Sequence, residues 1–410
     1  MESNSQFSGL LVEWPHHARR APLTALAVAI CVGVWLAVAI RGAPQDVGDW
    51  HRLGVFSGPE QLAGAWWSLL TGCFVHIWFA HLALNVYWLW TLGSRVEREL
   101  GAWRYLGLSL TSGVVSSLAQ ALASDGMGIG YSGIGYALFG FAYSVSSRWP
   151  ALHALVSGRV AYAWIGWLFL CVVLTHTGLL AIGNGAHAAG LASGMALGWL
   201  ASGRVARGAA LASALAAVLL TACFWRPWSP HWNYIEASHA ERAGDFEHAR
   251  MRYRAMIDAG GDEVWARGML ARLHHVRGER HQREGQLARI AELESERLGW
   301  VQGMIQHVDE VRAWAAATPD AARAELVRAA LARAEGRLDE ARQAYGVHLE
   351  QDPDDHEARL RFVQMTQWDA LATQADIREA LVLARQVEER APAFAAEARE
   401  AREALEQMRR

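Results

Sequence analysis

Up to about residue 225 the chain is built of long apolar blocks, and after that point it is charged almost throughout. Residues 21–40 and 208–225 contain no charged side chain, and each block is long enough to cross or nearly cross a ~30 Å hydrocarbon core. Apolar blocks at 73–92, 105–123, 132–147, 160–182 and 186–202 lie between them, giving seven expected membrane spans. Residues 16–40, with Ala37-Val38-Ala39, also resemble a cleaved signal peptide. That apolar block exceeds the usual signal core, so it reads as a retained anchor.

From residue 233 onward the pattern is helical, with few breakers and almost no strand alternation. Gly244-x4-Ala249-x3-Tyr253 returns as Gly336-x4-Ala341-x3-Tyr345, the second copy running on to Asp352-Pro353. Alanine where helices approach and an aromatic one turn later suit stacked helix–turn–helix units, and the spacing is near a multiple of ~34 residues. These features predict degenerate tetratricopeptide-like repeats. The stretch 279–299 alternates Arg and Glu and reads as a solvated helix. The expected fold class is all-α. A cytoplasmic segment (1–20) precedes a six-helix membrane core (21–207), a seventh transmembrane helix (208–225) and a soluble helical domain (226–410).

Charge orients the spans. With the N-terminus in the cytoplasm, the inside segments carry Arg19, Arg20, Arg95, Arg98, Arg104, Arg148, Arg159, Arg204 and Arg207. The outside segments carry only Arg41, Arg52 and Arg226, a clear positive-inside bias. Seven spans then export the C-terminal domain, which in a bacterial inner membrane means the periplasm. Residues 226–410 hold 33 acidic and 27 basic side chains, a balance that argues against nucleic-acid binding. The four cysteines, Cys31, Cys73, Cys171 and Cys223, sit in or beside spans, and no CxxC pattern appears. Neither a disulfide framework nor a metal or cofactor is expected.

Against the apolar blocks a few polar residues stand out, and polar groups in a span are costly enough to mark function. His76 precedes His81 and Asn85 on span two, Ser132 opens span four within Gly130-Tyr131-Ser132-Gly133, and His187 opens span six. All fall toward the outer side of the bundle. Ser132, Tyr136, Gly140 and Ser144 share one helix face, while Ala186, Gly190, Gly194 and Gly198 form a small-xxx-small stripe. Packing along these stripes brings Ser132 opposite His187, a nucleophile beside its base. No Asp or Glu lies in spans four to six, so a Ser–His dyad is expected rather than a triad. Asn85 and His81 could donate to an oxyanion, and Tyr136 could stack on His187.

These segments resemble the rhomboid family of intramembrane serine proteases. The resemblance rests on His76-x4-His81-x3-Asn85, Gly93-x3-Glu97-x3-Gly101, Gly130-Tyr131-Ser132-Gly133-x2-Tyr136-Ala137-Leu138-x-Gly140 and Asn184-Gly185-Ala186-His187-x2-Gly190-Leu191-x2-Gly194. It covers residues 20–225 and implies a rhomboid-like core with Ser132 as nucleophile and His187 as general base. It also implies an oxyanion hole from His81, Asn85 and the Ser132 amide. Tyr136, His76, Gly130, Gly133 and Gly190 would support the site, and Glu97 would tie down the cytoplasmic end of span two. Implied substrates are transmembrane proteins entering from the lipid bilayer past span five. One departure is Ser68 after Trp67, where many family members have Arg. The competing function is a non-proteolytic membrane adaptor that binds transmembrane helices and recruits a protein or peptide partner through the repeats. A transporter would need inverted repeats, broken helices and charged midplane residues, and the sequence shows none of these.

Overall fold

The computed structural model describes residues 19–156, 158–318, 323–369 and 371–409, so most of the expected segment 1–20 lies outside the described residues. Among the described residues all regular structure is helical, apart from one isolated antiparallel bridge between Ser57 and Met127. The chain forms two compact units, Met1–Arg226 and Pro227–Arg410.

Among the described residues of the first unit, four helices are long and apolar enough to cross a membrane: Pro22–Arg41, Ala102–Ala123, Arg159–His176 and Val205–Phe224. The protein is an integral membrane protein. Pro22 opens the first helix, where its missing N–H costs nothing, and Gly42 at φ 94° ends it. The carboxylate of Glu97 accepts from the Leu23 and Thr24 amides at 2.9 and 2.8 Å and from Thr24 Oγ1 at 2.7 Å. Buried Glu97 thus caps the first helix, where its charge also opposes the helix dipole.

Span two differs from expectation. It is a helical stretch broken and bent by 101°, with Ser68–Phe74 on one side and Phe79–Leu100 on the other. Tertiary partners hold the break open: Val75 is extended, and the Gly72 carbonyl accepts the Gly130 amide at 3.0 Å. A π-helical turn, Leu89–Gly93, interrupts the second part. The preceding segment 41–66 contains two short capped helices, Val47–Arg52 and Gly58–Ala63. Ser68 is buried, and its hydroxyl donates to the Ala65 carbonyl at 2.7 Å, closing the turn at the departure from the family pattern.

The serine helix, Ser132–Val145, has 14 residues and so measures ~21 Å, shorter than the ~30 Å apolar core. It packs along the histidine helix, Asn184–Ala201, through bare backbone. A Cβ at Gly190 would overlap the Gly133 carbonyl, one at Gly194 the Ala137 carbonyl, and one at Gly140 would lie 2.5 Å from Leu191 O. Only small residues permit that approach.

Among the described residues of the second unit, three helical hairpins turn on a glycine: Pro230–Arg242 with Phe246–Asp258, Glu263–Val276 with Arg280–Leu293, and Ala324–Glu335 with Leu338–Gln351. The turn glycines have positive φ: Gly244 at 76°, Gly278 at 74° and Gly336 at 89°. Ala249, Tyr253, Ala341 and Tyr345 are buried, as the repeated template requires. The hairpin at Gly278 was not expected. There the stretch 279–299 is not one solvated helix: it breaks at Glu294, and Ile290 is fully buried against Val264, Ala271 and Val301. Arg272 bridges to Glu241, which also accepts the Tyr253 hydroxyl at 2.6 Å.

Candidate active site

Ser132 is the first residue of its helix, so its backbone N–H has no intrahelical acceptor and faces the loop that leads in. Two braces fix that loop. The Gly58 amide donates to Gly126 O at 3.2 Å beside the Ser57–Met127 bridge, and Gly130 N donates to Gly72 O. Gly130 at φ 100° needs the left-handed freedom of glycine. It also needs the missing side chain, since a Cβ would lie 2.6 Å from His81 Cε1.

The structure brings Ser132 and His187 together: Ser132 Oγ lies 2.8 Å from His187 Nε2. His187 Nδ1 is buried and has no hydrogen-bond partner among the described residues, so no carboxylate orients the ring. The Tyr136 ring does so by contact, at 4.6 Å between centroids and 32° between planes. Its hydroxyl is anchored in turn to Trp164 O at 3.3 Å. A hydroxyl hydrogen-bonded to a neutral imidazole can be deprotonated as it attacks an acyl carbon.

A cavity of about 330 Å³ opens over this pair. Ser132, His187, Tyr136 and Asn85 all line it, together with Trp88, Trp164 and Trp167. The Asn85 side-chain amide donates to His81 O, one turn back on its own helix, at 2.9 Å, which fixes its orientation and leaves its second N–H available. His81 does not line the cavity. It packs against Gly130, 4.8 Å from the ring of His76. His76 is fully buried and bonded at both nitrogens, with Nδ1 3.3 Å from Phe74 O and Nε2 accepting the Tyr131 amide at 3.4 Å. Those bonds fix the tautomer with the proton on Nδ1.

Gln120 and Trp164 were not foreseen. Gln120 Oε1 accepts the Ala186 amide at 3.3 Å in the first turn of the histidine helix. A polar side chain inside an apolar block was the signal for it. Trp164 touches Trp88 at 4.8 Å, Tyr136 at 4.8 Å and Phe139 at 5.0 Å, and nothing in the sequence separated it from the other tryptophans of the apolar half. Among the described residues one group, His348, Asp352 and Asp355, has ligating atoms within 4.8 Å of one another. The His348–Asp355 bond and the cap Asp355 makes to Ala358 N account for two of its members, so it supports no metal assignment.

Residues 63–204 match the Rhomboid domain family. The rhomboid domain contains Ser132, His187, His76, His81, Asn85, Tyr136 and Glu97. It leaves outside the first helix, the last apolar helix of the first unit and all of the second unit. Members of the rhomboid family are generally intramembrane serine proteases acting on transmembrane proteins, and inactive rhomboid-like proteins also exist.

Proposed function

We propose that this protein is an intramembrane serine endopeptidase that cleaves transmembrane or membrane-adjacent segments of other membrane proteins. The observation that carries the proposal is the 2.8 Å contact between Ser132 Oγ and His187 Nε2 on the floor of a cavity within a rhomboid domain. An inactive relative has no need of a nucleophile, a base and a cavity in register.

In this mechanism a substrate helix enters beside Trp164 and Trp167 and unwinds locally, because a helical backbone keeps its carbonyls hydrogen-bonded. Ser132 Oγ attacks the exposed carbonyl carbon, and its proton passes to His187 Nε2. The oxyanion receives the Ser132 amide and the free N–H of Asn85, each worth on the order of 10²–10³ in rate. His187 then protonates the leaving amine. Water, deprotonated by the same nitrogen, releases the acyl group and restores the serine. His76 and His81 serve the oxyanion site by holding Gly130 and Tyr131.

The site lies on the outer side of the membrane, the N-terminus in the cytoplasm and the second unit in the periplasm. The helical hairpins form a tetratricopeptide-like surface that grips a protein or peptide partner. Co-expression of a tagged single-span substrate with wild type, Ser132→Ala and His187→Ala tests the activity. A cleaved product with wild type alone supports it, and equal product from all three removes it.

A further inference from the structure

At the other end of the Phe79–Leu100 stretch, some 17 residues and ~25 Å from His81, lies a second pocket of about 370 Å³. It is lined by Arg20, Pro22, Glu97, Arg98, Gly101 and Ala102. Arg20 and Arg98 both line the opening, and Arg95 lies one turn before Arg98 on the same helix, Ser94–Leu100. Among the described residues none of the three is in an ion pair. The acids near them are Glu97 and Glu99. Glu97 is consumed, since its carboxylate already accepts three donors from Leu23 and Thr24. Glu99 alone does not balance three arginines. All three arginines are exposed, so solvent screens their repulsion, and together they leave a net positive field that favours an anion at the opening.

Two further features set the chemistry of that anion. The pocket wall includes the start of the helix Ala102–Ala123, whose first turn carries no side-chain cap, so its amides add to the positive field. Beside Ala102, Trp103 is 84 % exposed. An exposed indole at the end of an apolar helix belongs to the membrane–water interface, the level of lipid headgroups. Arginine forks suit the oxygens of a phosphate.

We propose that this pocket binds the phosphate of an anionic phospholipid headgroup and so anchors the end of the bundle remote from Ser132. The proposal rests on the protein being integral to a membrane and is independent of proteolysis.

Native mass spectrometry of the full chain in detergent tests it, with phosphatidylglycerol, phosphatidylcholine and inorganic phosphate titrated separately. Phosphatidylglycerol should bind in preference to phosphatidylcholine. Each interfacial arginine contributes about fivefold in affinity, so R98Q should weaken phosphatidylglycerol about fivefold and R20Q/R98Q about 25-fold, with phosphatidylcholine unchanged. R98Q supplies the reading if the double variant fails to fold. Inorganic phosphate should not displace the lipid. Equal affinity for the two lipids, or undiminished phosphatidylglycerol affinity in R98Q, overturns the site. Displacement by inorganic phosphate at matched concentration overturns the lipid assignment and makes it a site for free anions.

Discussion

His187 in the membrane unit and His348 in the helical-hairpin unit look alike by every local measure except their partners. Both are buried, both bond through Nε2 at 2.8 Å, and each has a buried Nδ1 with no partner among the described residues. His348 meets Asp355, whose other oxygen caps the helix His356–Trp368 through Ala358 N, so the pair ties one helix end to the start of the next. His187 meets a serine hydroxyl at a helix N-terminus, open to a cavity. Burial does not tell a base from a tie. The partner's chemistry and the space beside it do.

Exchanging those two histidines for alanine should therefore give opposite phenotypes. His187→Ala should lower cleavage of a single-span substrate by at least about 10³-fold while unfolding stays near wild type. His348→Ala should leave cleavage within about twofold and lower the stability of the second unit by about 1–3 kcal/mol, read by hydrogen exchange. Comparable cleavage losses in both would erase the distinction.

Asn85→Ala comes next, with an expected fall of about 10²–10³ in single-turnover rate and little change in substrate affinity. A change in affinity alone would return Asn85 to helix packing. Gly194→Ala probes the internal packing of the membrane unit. The membrane unit relies on backbone against backbone, so this single methyl should cost about 1–3 kcal/mol in detergent unfolding. Gly285→Ala in the second unit, where a Cβ meets nothing within 4 Å, should be neutral or slightly stabilising.

The smallest effect is on acid stability. Burial raises the Glu335 carboxyl, but hydrogen bonds from Arg312 and Arg337 outweigh it and hold the group below its ordinary 4.5. Asp355 is likewise held below 3.8: burial works against this, and the Ala358 amide and His348 prevail. A carboxyl depressed in the fold contributes stability above its unfolded value, and that contribution is lost as pH falls through the folded value. The stability of the second unit, read by hydrogen exchange after correction for the intrinsic rate at each pH, should thus stay flat between pH 7 and 5 and fall below about 4.5. Glu335→Gln should flatten the Glu335 part of that loss. The same acid sensitivity in the variant would contradict the assignment.

Much of this was legible in the sequence, for a physical reason. A Ser, a His and an Asn stand out against apolar blocks because a bilayer tolerates few of them, and the glycine stripes give away which helix faces meet. The hidden parts are those decided by tertiary partners. An apolar block does not announce that Val75 is extended or that Leu89–Gly93 winds as a π-helix. The short helix Gly58–Ala63 does carry a local signal, the capping box Ser57-x-x-Glu60. The hairpin at Gly278 escaped the repeat template because Arg283 stands where Ala249 and Ala341 stand in the other copies. Glu97 was expected to secure span two, and its bonds show what it secures it to: the start of the first helix.

Covalent labelling at residue 132 gives the most direct measurement. Intact and peptide mass spectrometry of the detergent-solubilised chain after a fluorophosphonate should find one adduct, on Ser132. The adduct should be absent in Ser132→Ala and at least about 10³-fold slower to form in His187→Ala. No adduct on folded wild type, or one that persists at equal rate without His187, would contradict an imidazole-activated serine and leave the rhomboid domain as a binding scaffold.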